Sequence, residues 1–259
     1  MNSLPPLITC SSPRPGVVEL TLNRPDKRNA LSVPLLEELV AQVRAAEGDD
    51  ANRVIVLRGA GKVFCAGLDL AEATDPERAH RSAHAVADAL KTIARCRLVT
   101  VARVHGAAIA GGAGLMAACD LIVAADDTKV GYPEVHRGLV AGLIMHFVVR
   151  QAPLRAVSEL MLTGKLIDAK RAAELGLVNR AVADIELEAE MTVLLSDLLQ
   201  AAPGAQQRTK RIIDRFAPGD LEADLDAALA DHMQARQSDE ATEGLAAFLE
   251  KREPAWRNK

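Results

Sequence analysis

Glu134 stands in Gly131-Tyr132-Pro133-Glu134, with few other charges before Arg137. A carboxylate among apolar neighbours titrates above its usual range and can serve as acid or base near neutrality; a glutamate at the start of a helical turn is the plainer structural reading. Two other segments hold small residues where chemistry could use the backbone. In Phe64-Cys65-Ala66-Gly67-Leu68-Asp69-Leu70 an apolar run ends in small residues, which let another group approach the main chain closely. From Gly106 to Gly114 a strand-like stretch enters a glycine-rich turn and a helix start, where free N–H groups attract negative charge. Each also fits a tight packing turn. His80 and His84, four apart on a helical stretch, could present two imidazoles to a metal. No third ligand stands nearby, and a solvated helix face accounts for them.

Several chemistries are disfavoured by what is missing. The chain has no GxxxxGK[ST] phosphate loop, no HExxH and no GxSxG elbow. The glycines at 111–114 do not spell the dinucleotide fingerprint GxGxxG. The four cysteines, Cys10, Cys65, Cys96 and Cys119, are scattered singly with no CxxC pair, so reduced thiols in a cytoplasmic setting are expected.

The elements that must position these residues can be read from periodicity. Val17–Leu22, Val54–Leu57, Leu98–Ala102 and Asp120–Ala124 read as strands, most of them continuous apolar runs suited to burial on both faces. Between them the spacing predicts a helix from Ser32, its candidate cap, through Leu36, Leu39, Val40 and Val43. A polar, Ala-rich helix is expected over about Asp75–Ala94. Strands alternating with helices indicate an α/β body. Beyond Pro153 the only strand signal is Leu177-Val178, and helices are expected at 154–162, 168–175, 184–201, 204–216, 220–235 and 239–251. The expected division is an α/β core over 1–200 and a helical C-terminal region over 201–259, with breaks at Pro203-Gly204 and Pro218-Gly219.

At 259 residues the chain is long enough for a large core. Apolar residues make up 49% and aromatics only 2%, so that core rests on Ala, Leu and Val. With 31 basic and 35 acidic residues the net charge is −4, which gives no general attraction to nucleic acid or anionic lipid. No apolar run approaches the ~18 residues of a membrane span, and Met1–Thr9 lacks the pattern of a secretory signal.

Taken in order, these segments resemble the crotonase superfamily, the enoyl-CoA hydratase/isomerase family. The resemblance is carried by Asn23-Arg24-Pro25 with Asn29-Ala30-Leu31, by Phe64 to Leu70, and by His105-Gly106 with Gly111-Gly112. It continues through Ala118-Cys119-Asp120, Pro133-Glu134, Leu162-Thr163-Gly164 and Ala173 to Val178, and so covers most of the chain from Val17 to Trp256. It implies a crotonase-like spiral of ββα units followed by a helical C-terminal trimerisation region, assembled as a homotrimer or as a hexamer of paired trimers. It implies an acyl-CoA substrate, with no metal or nicotinamide and with coenzyme A entering as part of the substrate.

Residue by residue, the resemblance assigns the two oxyanion-hole N–H groups to Ala66 and Gly111, and the general acid/base to Glu134. Lys27 and Arg28 fall where coenzyme A phosphates are contacted. Phe248 and Lys251 match a C-terminal pair reaching adenine and phosphate, with core packing as the rival account of Phe248. Asp69, grouped with the coenzyme-binding residues, matches an acidic position whose plainer role is a loop-ordering hydrogen bond. Two-glutamate hydratases carry their other carboxylate where this chain has Gly114, and dienoyl isomerases carry an aspartate where it has Gly142. The segment Glu134–Val140 resembles branched-chain and methylglutaconyl-type hydratases. The leading expectation is therefore reversible hydration of a 2-enoyl-CoA by a single glutamate, with His136 a second group if its imidazole faces inward. Isomerisation of a 3-enoyl-CoA is the alternative, and a non-catalytic acyl-CoA-binding or RNA-binding relative comes third.

Overall fold

A computed structural model describes residues 5–69 and 76–258; Leu70 of the apolar motif, Asp75 and the first residues of the N-terminus lie outside them. Among the described residues, nine strands alternate with ten α-helices. Six strands form one sheet in the order β1 (Ile8–Arg14), β2 (Val17–Leu22), β3 (Val54–Gly59), β4 (Val99–Val104), β6 (Leu121–Ala125) and β9 (Arg180–Val182). β1 and β2 pair antiparallel, and every later pairing is parallel. The central strands β3 and β4 are bonded on both sides; Val54–Leu57 of β3 is a continuous apolar run and β4 is mostly apolar, with Thr100 and Arg103 buried as well, because neither strand has a face open to water. A smaller sheet holds β5 (Ala107–Ile109), β7 (Lys129–Gly131) and β8 (Ile167–Asp168), and single bridges Cys65–Ala108 and Leu31–Leu68 extend the same pairing.

Each turn of the chain thus adds a strand to the large sheet, then a short stretch to the small one, then a helix. The helices of the successive turns are α1 (Val33–Gly48), α2 (Pro76–Arg95), α3 (Gly111–Ala117) and α4 (Gly142–Gln151). This is the ββα spiral. The remaining helices are α5 (Leu154–Thr163), α6 (Ala169–Glu174), α7 (Leu187–Gln200), α8 (Pro203–Phe216), α9 (Leu221–Arg236) and α10 (Asp239–Glu250). α9 lies against α2 and α4, and α10 against the 3-10 turn Pro133–Arg137. No helix among the described residues is long and apolar enough to cross a membrane.

The structure departs from the sequence expectations at identifiable places. Leu177 and Val178 are buried but form no strand. The Leu177 N–H closes the turn after α6 on Ala172 O, and the ladder resumes at Arg180. Ser32 occupies the cap position of α1 without a side-chain cap bond, and Pro34 shapes the first turn instead. β1 carries no apolar alternation because it is an edge strand exposed along most of its length. α4 is hidden from periodicity because Leu143, Ile144, Phe147 and Val148 are buried together in a helix that is apolar over most of its surface.

One side chain ties the spiral together below the catalytic motifs. Asn29 is fully buried with φ 55°, a left-handed conformation that asparagine tolerates better than most residues. Its Nδ2 donates to the carbonyls of Ala60 (2.9 Å), Val63 (2.9 Å) and Phe64 (3.1 Å), and its Oδ1 accepts from the Arg24 N–H at 3.0 Å. An Asn29→Ala protein strands these buried partners and places a residue with a Cβ but no polar group in a left-handed turn. Urea unfolding should show a loss of about 2–4 kcal/mol. A loss below about 0.5 kcal/mol, the level of an ordinary surface substitution, would remove the clamp from the account.

Candidate active site

The turn that Asn29 holds decides which backbone N–H groups are free. Ala66 donates its N–H to Arg28 O at 3.0 Å, so it has none to offer a ligand, contrary to the sequence expectation. Two residues on, the pattern changes. Leu31 N–H bonds Gly67 O and Asp69 N–H bonds Leu31 O, a parallel bridge in which the intervening Leu68 N–H has no acceptor among the described residues. Gly111 is the first residue of α3, where an N–H has no carbonyl four residues back within the helix. The two segments touch: a Cβ built on Gly67 would lie 3.7 Å from Gly111 N, and one built on Gly111 would lie 3.7 Å from Leu68 Cδ2. α3 reaches this position because Gly112 passes against Cys65, where a Cβ would come within 2.4 Å of the Cys65 carbonyl oxygen. Ala110 enters the helix at φ 53°, ψ −126°, pinned by its own N–H to Gly131 O at 2.9 Å. A non-glycine residue held there stores about 1–3 kcal/mol of strain, a feature that concentrates at functional sites.

Glu134 sits in the 3-10 turn Pro133–Arg137 directly after β7. Gly138 ends that turn with a left-handed φ of 65°, and Leu139 N–H returns to Glu134 O at 3.1 Å. The carboxyl is largely buried, and its Oε2 has no hydrogen-bond partner among the described residues. Burial pushes its pKa up to about 7, against the weaker pull of its own backbone N–H and of Arg137. Beside it the Tyr132 hydroxyl is wholly buried and raised in pKa, chiefly by burial and then by the Glu134 charge. A carboxyl of this kind exchanges its proton near neutral pH.

These groups meet in a cavity of about 380 Å³. Its lining includes Leu68, Gly111, Glu134, Asp69, Lys27, Arg28 and Phe248, with Ala66 present as wall. Leu139, Val140, Leu143, Ile144 and Val86 supply an apolar side. Asp69 pairs with Arg24 (Nη2 to Oδ2, 2.9 Å), and Arg24 Nη1 also donates to Ala30 O at 2.6 Å, so the loop-ordering role is visible. Phe248 is 45% exposed, which sets aside core packing. The Arg137 guanidinium carbon lies 4.4 Å from its ring centroid, a cation–π contact. Lys251 is exposed at the C-cap of α10 and is not part of the lining.

His136 turns away from the cavity: its Nε2 meets Thr163 O at 2.7 Å, so it does not stand in for a second carboxylate. The Gly114 position is closed, since a Cβ there would meet Ile144 Cγ1 at 3.0 Å and Leu90 Cδ2 at 3.6 Å. His80 and His84 face each other, Nε2 to Nε2 3.2 Å, and the described residues contain no group of three or more His, Cys, Asp or Glu able to hold a metal. Sequence reasoning missed the free Leu68 N–H, the Arg137–Phe248 stack and the Ile144 wall. None of the three leaves a signal in the sequence: Ala66 and Leu68 both flank Gly67, and the other two depend on tertiary packing.

Residues 13–259 match the enoyl-CoA hydratase/isomerase family model. A Thermus thermophilus protein, whose name assigns it provisionally to the enoyl-CoA hydratases, is 35% identical over 243 residues, covering 92% of this chain and 96% of its own. The mouse mitochondrial enoyl-CoA hydratase domain-containing protein 2 is 33% identical over 252 residues, covering 94% of this chain and 85% of its own. The crystal structure of an enoyl-CoA hydratase from Mycobacterium avium superposes with a TM-score of 0.85 at 34% identity, covering 98% of this chain and all of that one.

The raised Glu134 pKa has a consequence for stability that does not depend on catalysis. The folded state holds this proton more tightly than the unfolded chain does, so the carboxyl becomes a liability as pH rises from about 4.5 to about 7. Glu134→Gln removes the ionisable group. The variant should be more stable than the wild type by about 3 kcal/mol at pH 8, with the gap closing by pH 4. Equal unfolding midpoints at both pH values would show that the carboxylate finds compensation in the folded protein.

Proposed function

The chain belongs to the enoyl-CoA hydratase/isomerase family, and on that premise we propose that it hydrates a 2-enoyl-CoA thioester reversibly, with Glu134 as the one acid/base group. The observation that carries the proposal is a buried carboxyl, its Oε2 without a partner among the described residues, in a cavity also lined by two residues with unbonded backbone N–H groups. Leu68 and Gly111 are the proposed oxyanion donors. They receive the thioester oxygen, and their hydrogen bonds strengthen as negative charge grows on it; one such donor can be worth ~2.7–4 kcal/mol.

In the forward direction, ionised Glu134 takes a proton from water as the water oxygen bonds to C3. The C2–C3 π electrons move toward the thioester, giving an enolate whose oxygen lies between the two N–H groups. The proton now on Glu134 passes to C2, the carbonyl re-forms, and the carboxylate is restored. Coenzyme A enters as part of the substrate, and no further cofactor is required by this chemistry. Lys27 and Arg28, exposed cations of the lining, are suited to its phosphates, and Phe248 to its adenine ring. Lys251, three residues past Phe248, is the proposed outer phosphate contact. A second reading, isomerisation of a 3-enoyl-CoA, is favoured by the closed Gly114 position, because one carboxylate suffices to move a proton from C2 to C4.

A homotrimer, or a pair of trimers, is the proposed assembly. Leu154, Leu162, Ile185 and Phe216 leave large apolar side chains exposed on the single chain, where a second copy could cover them. Light scattering should give three or six times the 27.6 kDa monomer, and a monomer at micromolar concentration would refute it. A cytoplasmic location is proposed from the four unpaired cysteines, which suit a reducing compartment, and the two enzyme readings rank ahead of a purely acyl-CoA-binding role.

Glu134→Gln should lower hydration of a 2-enoyl-CoA by ~10²–10⁴-fold with acyl-CoA affinity nearly kept. In the wild type, kcat/KM should rise with pH through about 7, because the free enzyme must present the ionised carboxylate. A variant that keeps more than half the wild-type rate would take Glu134 out of the mechanism. Product analysis with 2-enoyl and 3-enoyl substrates separates hydratase from isomerase.

A further inference from the structure

Arg137 closes the 3-10 turn that Pro133 and Glu134 open. Side chains three residues apart eclipse in a 3-10 helix, so Glu134 and Arg137 leave the turn on one side, and both line the cavity. The guanidinium is anchored by α10. That helix comes close to the turn because Gly244 has no side chain: a Cβ there would lie 2.4 Å from the Arg137 carbonyl. Phe248 follows one helical turn along the same face, and its ring centroid lies 4.4 Å from the guanidinium carbon. Among the described residues the Arg137 side chain makes one long hydrogen bond, Nη1 to Pro133 O at 3.4 Å, and its Nε makes none. It forms no direct bond with Glu134, whose charge bears on it through space.

The other charged and titratable groups around the turn are occupied or face water. In the lining, Asp69 is paired with Arg24, Lys27 and Arg28 are exposed, and burial keeps His232 of α9 below its ordinary pKa. Tyr132 keeps its proton because it is wholly buried. On α10, Glu243 pairs with Arg252, while Asp239, Glu240 and Glu250 are exposed. On α5, Arg155 and Glu159 are exposed, and His136 is bonded to Thr163 O. Among the described residues Arg137 is the charge that bears on the Glu134 carboxyl.

We propose that Arg137 is a positioning residue for the reaction: its charge, anchored on Phe248, acts on the Glu134 carboxyl and sets the pH at which the enzyme works. A direct, bidentate ion pair would hold the carboxylate too firmly for it to take a proton near neutrality. With no cation nearby, burial alone would keep the carboxyl protonated to higher pH. A guanidinium held on an aromatic ring lies between these cases and lets one carboxyl both accept and return a proton. The inference rests on the Glu134 reading above and adds the group that governs it.

The test compares wild type with Arg137→Gln, Arg137→Met and Arg137→Lys. Two readouts are followed against pH: kcat/KM for a 2-enoyl-CoA, and carbon-13 NMR of protein labelled at the glutamate carboxyls. The resonance missing from Glu134→Gln identifies the group. In either neutral variant both midpoints should rise by about half a pH unit or more, which lowers kcat/KM about threefold at pH 6. Arg137→Lys, which keeps the charge, should bring the midpoints most of the way back. Midpoints within about 0.2 pH unit of wild type overturn the inference. So does a KM raised equally at every pH with the midpoint unmoved, which would make Arg137 a ligand contact. Two neutral variants are made so that one failing to fold leaves the other to decide. The NMR titration needs no turnover. A moved Glu134 midpoint without hydration rejects the hydratase reading alone, and hydration with an unmoved midpoint rejects the role of Arg137 alone.

Discussion

The site depends on where the turn Arg24–Leu31 docks against the end of β3. Asn29 fixes that docking by bonding three carbonyls of the 60–64 segment and one N–H of its own turn. With the turn in place, Arg28 O takes the Ala66 N–H, Leu31 bridges across Leu68, and the N–H of Leu68, a residue of the cavity lining, is left without a partner among the described residues. That unpaired N–H lies next to the start of α3, whose first N–H is unpaired by the geometry of any helix. The spiral can hold the pair in place because each strand-to-helix turn of the chain is bonded to the one before it.

Electrostatics complete the arrangement from the opposite side of the chain. Glu134 follows β7 and is held in a short turn against α10, far in sequence from either N–H group. Nothing neutralises it fully: Arg137 attracts it, but the guanidinium is itself partly buried and stacked on Phe248. The result is a carboxyl balanced near neutrality. Ile144 packs against Gly114, so the apolar wall of the cavity stands where a second glutamate would have to project.

Much of this was legible in the sequence, for physical reasons. β3 and β4 announce themselves as buried strands, and α5 through α10 fall within a few residues of their expected ranges. Glu134 was marked by its apolar neighbours, and burial does raise its pKa. What the sequence could not carry was the register of the backbone. Whether Ala66 or Leu68 has the free N–H depends on which residue faces the Arg28 carbonyl, and side-chain identity leaves no trace of that. The orientation of His136 was equally out of reach, because it turns on a contact with Thr163 across the next helix. His232 could not be tied to the site at all, since α9 reaches the cavity only through its packing on α2 and α4.

The central claim is that the Leu68 and Gly111 N–H groups polarise a thioester carbonyl within reach of Glu134. Isotope-edited infrared spectroscopy of a bound 2-enoyl-CoA, carbon-13 labelled at the thioester carbonyl, reads this directly. The Glu134→Gln protein keeps the complex from turning over during the measurement. The account predicts that the labelled carbonyl band moves to lower wavenumber on binding, because two donors weaken the C=O bond. A band at the position found in water, or higher, would contradict it and leave the two free N–H groups without a role.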